Sequence, residues 1–155
     1  MATHQVHHHV TDDERTAHHW RLTWWWASAL TALNGFVVGA GSVWFQLFGE
    51  SPDRGDYLVS AGGYLTAAAV ISLALAPALG RGVPTWGAAT LGAIAAGLAI
   101  AGLISLQEAA ALPPHNRPSA GVLDGVGGVL FLPWCWVLLW MCGRAAYTRT
   151  RQWFR

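Results

Sequence analysis

Few residues in this chain have side chains that could do chemistry, and most of them sit at the edges of long apolar runs. Asp124 lies about one turn inside such a run, with Gly128 four residues on along the same helical face. Ionisable groups in membrane helices are rare, and they mark proton or ion pathways or internal pairs. If the helix instead begins a few residues later, Asp124 is an interfacial acid favoured by the helix dipole. Thr31, Asn34, Ser42 and Gln46 form a stripe at helical spacing with Gly35 and Val38. That stripe either lines a polar path or hydrogen-bonds neighbouring helices, at around 1 kcal/mol or less per contact. Gln46, Gln107, Glu108 and Asp124 all belong to the outer ends of their segments. With Asn34 deeper in, they define one candidate polar site just inside the outer surface.

Histidines 4, 7, 8, 9, 18 and 19 crowd the first 21 residues. Neutral imidazole binds zinc, copper or nickel, so His7, His8, His9 and His18 form a candidate metal tract, with Glu14 at helical spacing from His18. None of the usual metal-binding spacings is present among them. The acids Glu50, Asp53 and Asp56 in the first loop are either a further candidate cation site or, more simply, the result of the positive-inside bias that depletes arginine there. No nucleophile elbow, phosphate-binding loop, close cysteine pair or zinc-protease motif occurs. Cys135 and Cys142, seven residues apart on one helix, are about 10 Å apart along its axis and cannot bridge. The sequence therefore points away from an enzyme and implies no cofactor. A formal net charge of +1 gives no general case for nucleic acid.

The elements that carry these residues follow from how the charges are spaced. Only 11% of the 155 residues are charged, and 54% are apolar. Uncharged runs of 28, 24, 26 and 19 residues separate Arg21 from Glu50, Asp56 from Arg81, Arg81 from Glu108, and Asp124 from Arg144. A bilayer core about 30 Å thick needs around 20 apolar residues of helix. The expected fold is thus an all-α membrane protein, a left-handed bundle of four transmembrane helices at about 24–48, 57–79, 86–107 and 121–142. A polar, histidine-rich leader (1–21) precedes it and a basic tail (144–155) follows. Ala27-Ser28-Ala29 lies before the first apolar run, so the leader reads as uncleaved. Thr11 and Glu14 fit a capping box that starts a helix near Asp12, with residues 1–10 disordered.

Arginine counts set the expected direction. Seven arginines fall in the leader, the second loop and the tail, and only Arg54 and Arg117 fall in the other two loops. Both termini are expected in the cytoplasm, with the protein in a plasma membrane of the bacterial type and its tail on anionic lipid. The tryptophans at 20, 24–26, 86, 140 and 153 are expected at headgroup level.

Small residues that allow close approach drive packing within lipid. Gly35 with Gly39, Gly121 with Gly125, and the Gly92 and Gly97 series of the third segment are the candidate contact positions. The third segment, small on most sides, is expected to sit centrally. Pro133 falls mid-helix and predicts a kink, because it removes the bond to the Val129 carbonyl. The reading that follows is a non-enzymatic accessory or interaction subunit, with a membrane-protein partner or a homo-oligomer. A small oligomeric carrier or channel built on Asp124, Asn34 and Gln46 is the alternative. A metal-responsive protein using the leader histidines is the third.

Overall fold

The computed structural model describes the backbone of residues 3–44, 51–79, 83–114 and 121–153, and the side chains of 14–44, 51–79, 83–114 and 121–151. Within these residues the chain is all-helical: α1 (Thr3–Trp44), α2 (Arg54–Leu79), α3 (Thr85–Ala111), α4 (Val122–Leu130) and α5 (Pro133–Trp153). Three helices are long and apolar enough to cross a membrane, and α4 with α5 makes a fourth only if counted as one bent span. At 42 residues α1 is about 63 Å long, twice the thickness of a hydrocarbon core. Its helix is already formed at Thr3, ahead of the start near Asp12 that the capping box predicts.

The side chains are sorted as lipid demands. Large apolar groups face outward, among them Phe36, Leu73, Ile100, Leu103 and Ile104. Small ones are buried, including Ala61, Ala67, Ala68, Ala74 and Ala78 of α2. Burying Leu against Leu gains nothing over lipid tails, whereas small residues let backbones meet closely.

The central helix is α2, not α3. Half of the most apolar stretch of α2 is buried within the protein, against 28% for α1 and for α3. The cause is which glycines find partners. A Cβ on Gly35 would overlap that of Ala67, and one on Gly39 would stand 2.5 Å from the Tyr64 ring, so α1 packs tightly on α2. A Cβ on Gly102 would lie 2.7 Å from Leu65, which fixes α3 on another side of α2. A Cβ on Gly125 would overlap the Val59 carbonyl oxygen and lie 2.7 Å from the Gly63 amide nitrogen, so α4 rests backbone to backbone on α2. Gly97, in contrast, has nothing within 4 Å of its Cβ position, and Gly92 has one ordinary contact with Leu75. The small residues of α3 are thus divided: Gly87, Ala88, Ala95, Gly102 and Ala109 are buried, while Ala89, Ala93, Ala96 and Gly97 face outward.

Local chemistry sets where helices begin. At the head of α2 the Asp53 amide donates to the Asp56 carboxylate and the Asp56 amide donates to that of Asp53, each at 2.9 Å. This reciprocal cap satisfies two of the amides that every helix N-terminus leaves open, and it occupies two of the loop acids. At the other end of the bundle Trp24 is buried, and its indole N–H donates to the Ala74 carbonyl at 3.2 Å. It packs as a core residue. Trp86 is 68% exposed and stands 5.9 Å from the Trp25 ring, nearer the expected role.

The glycine contacts predict an order of tolerance. Gly125→Ala must push α4 off α2 and should destabilise the protein by about 1–3 kcal/mol, the usual range for overpacking. Gly127→Ala meets nothing within 4 Å and should be neutral or stabilising, since alanine favours helix by up to about 1 kcal/mol. Thermal unfolding in detergent checks the order, and equal effects would contradict the packing described.

Candidate functional site

Among the described residues the helical order is interrupted at the joint between α4 and α5, where the two axes turn by 77° over Phe131 and Leu132. Proline explains the position of the turn. Pro133 has no N–H to give to the Val129 carbonyl, and its ring crowds that oxygen. A predicted kink is therefore present, and it amounts to a break: segment four is two helices. Any break frees carbonyl groups, and in lipid each unsatisfied group costs several kcal/mol.

Side chains take up the freed carbonyls. The Asn34 amide of α1 lies across the joint, with Nδ2 donating to the Gly128 oxygen at 3.3 Å and to the Val129 oxygen at 3.2 Å. The Cys135 thiol lies 3.3 Å from the Val129 oxygen and 3.7 Å from Thr31 Oγ1. The Trp136 indole N–H reaches back to the Leu130 oxygen at 2.8 Å. Phe131 keeps one helical bond, from its amide to the Gly127 oxygen at 2.8 Å. Cys135, Thr31 and Val129 are fully buried, so the joint is sealed on that side.

The polar stripe of α1 is a seam between helices. Thr31 donates to the Ala27 oxygen at 2.8 Å and faces Cys135. Ser42 Oγ lies 2.7 Å from Ser60 Oγ of α2, and Ser60 donates to the Asp56 oxygen at 2.9 Å. Ser28, one turn before Thr31, is buried without a hydrogen-bond partner; nothing in the structure accounts for it.

The expected polar site does not assemble among the described residues. Asp124 is the third residue of α4, exposed, and its carboxylate accepts the Gly121 amide at 2.6 Å. It caps its own helix, as the dipole favours. Asn34 works at the opposite end of α4, a nine-residue helix about 13 Å long. Gln107 and Glu108 are exposed near the end of α3, and Gln46 lies outside the described residues. The side chains of His7, His8 and His9 also lie outside them, as does Glu50. His18 and Glu14 line a shallow surface hollow with Arg15 and His19. Among the described residues no three His, Cys, Asp or Glu side chains gather as a metal ion requires. Cys135 and Cys142 are both free thiols.

A second feature escaped the sequence. An open groove of about 410 Å³ runs between α1 and α3, with Leu33 and Phe36 on one side, Ile94, Gly97 and Ala101 on the other, and Tyr64 of α2 between them. The sequence shows the small residues of α3 but not which of them remain uncovered.

Two substitutions separate the roles of the polar residues. Asn34→Leu strands the Gly128 carbonyl and leaves that of Val129 to the weak Cys135 thiol donor, and it should cost about 1–3 kcal/mol, the penalty for a buried group left unpaired. Asp124→Asn keeps an oxygen that accepts the Gly121 amide and should cost less than about 0.5 kcal/mol, with most of the cap retained. Equilibrium unfolding in mixed micelles would measure both, and a larger loss at Asp124 would reverse the assignment.

Compared with protein-family models, curated proteins and solved structures, the chain matches none.

Proposed function

We propose that the chain is a non-enzymatic integral membrane protein that acts as an interaction subunit, with both termini in the cytoplasm and the outer face of α3 as its contact. The observation that carries this reading is the uncovered face around Gly97. Ala89, Ala93, Ala96 and Gly97 are exposed, and a side chain at Gly97 would meet nothing. A helix with small residues spaced by four is suited to close approach by another helix. The fold uses such residues on α1, α2 and α4 and leaves these free. Three of the polar side chains that a carrier site would draw on are meanwhile engaged with backbone, Asn34 at the joint, Ser60 on α2 and Asp124 on its own helix.

One observation favours a second reading. Broken helices near the middle of a membrane are where many carriers build their sites, and the joint at Phe131 and Leu132 is such a break. In a carrier the freed carbonyls coordinate the cargo, whereas Asn34, Cys135 and Trp136 hold them here. That difference supports the interaction role over the carrier.

Native mass spectrometry of the full chain, gently extracted from its own membrane, tests the proposal. A stoichiometric foreign subunit is expected, and it should be lost from Gly97→Leu while the variant still folds. A homo-oligomer alone would move the carrier reading to first place. A monomer, or a complex indifferent to Gly97→Leu, would overturn the contact assigned to α3.

A further inference from the structure

A second groove, of about 350 Å³, lies between the C-terminal half of α2 and the stretch of α5 from Leu139 to Arg149. Leu73, Ala76 and Pro77 line it from α2, and Leu139, Ala146 and Arg149 from α5. Its size is that of a small-molecule site, roughly 300–1,000 Å³. The walls are apolar along most of their length, since alanines stand where larger residues would fill the space. Arg149 is the one charged residue among those that line it. The side chain is exposed and makes no ion pair or hydrogen bond among the described residues. Arg144, farther up the same helix, is placed differently, with its guanidinium over the Trp140 ring at 5.4 Å.

The groove therefore offers two chemistries in a fixed order. An apolar furrow runs along the membrane-spanning part of two helices, and an exposed cation stands where α5 passes into its arginine-rich tail. Guanidinium groups bind phosphate oxygens through paired N–H donors, and basic pockets between transmembrane helices take anionic headgroups. We propose that this groove holds one anionic phospholipid, with an acyl chain between Leu73 and Pro77 on one wall and Leu139 and Ala146 on the other, and its phosphate on Arg149. The site goes beyond the interaction role and does not depend on it.

The test uses the full chain, purified in a mild nonionic detergent and mixed with equal amounts of phosphatidylglycerol and phosphatidylcholine of the same acyl chains. Native mass spectrometry reads which lipid remains bound. The wild type should retain one phosphatidylglycerol in preference to phosphatidylcholine by about fivefold, the weight of one arginine at an anionic surface. Arg149→Gln should bring that ratio close to one, and Arg144→Gln should leave it unchanged. Ala76→Phe fills the groove from an exposed position without altering charge, and it should remove both lipids. Equal retention of the two lipids by the wild type would overturn the proposal. So would a preference that survives Arg149→Gln, or one that falls equally with Arg144→Gln, which would mean diffuse tail charge. Unchanged binding in Ala76→Phe would remove the groove from the account.

Discussion

A carbonyl oxygen in hydrocarbon must have a donor, and Pro133 takes one away from Val129. Much of the fold is arranged around that requirement. The chain breaks at Phe131 and Leu132, and the freed oxygens are met by Asn34 from α1, Cys135 and Trp136. A continuous helix would have needed no amide side chain in the C-terminal part of α1. The asparagine and the proline belong to one interaction, although 99 positions separate them in the sequence.

Asn34 can reach the joint only because α1 and α4 both lie close against α2. Gly35 meets Ala67, Gly63 meets Val38, and Gly125 meets Val59, so three helices come together where any added Cβ would collide. The α2 glycines at 62 and 63 work in two directions, toward α4 and toward α1. Close approach thus positions the hydrogen bonds, and the hydrogen bonds make the break tolerable in lipid. Neither serves without the other.

How much of this was legible depends on what a residue says about itself and what it says about a partner. The charge gaps mark the three candidate spans and the stretch that holds the bent pair α4 and α5, because crossing length is a property of a segment alone. Pro133 marks the kink for the same reason. The 77° turn, and the division of the segment into α4 and α5, depend on donors from elsewhere and could not be read. Small residues show that a helix can be approached, not by what. Gly35 and Gly97 look alike in sequence, yet one is pressed on Ala67 and the other is open, so α3 was expected at the centre and lies at the side. Asp124 was legible only as two alternatives. Where α4 starts decides between them, and its carboxylate caps that start at Gly121.

The central claim is that segment four is bent at Phe131 and Leu132 and not continuous. A distance between spin labels at Leu123 and Tyr147 tests it most directly, since both side chains are exposed, at 82% and 66%. A straight helix at 1.5 Å per residue would set the two backbones about 36 Å apart. A bend of 77° shortens that to about 29 Å. The shorter distance in lipid nanodiscs is the expected result. A distance near 36 Å would mean a continuous helix, with no joint for Asn34 to seal.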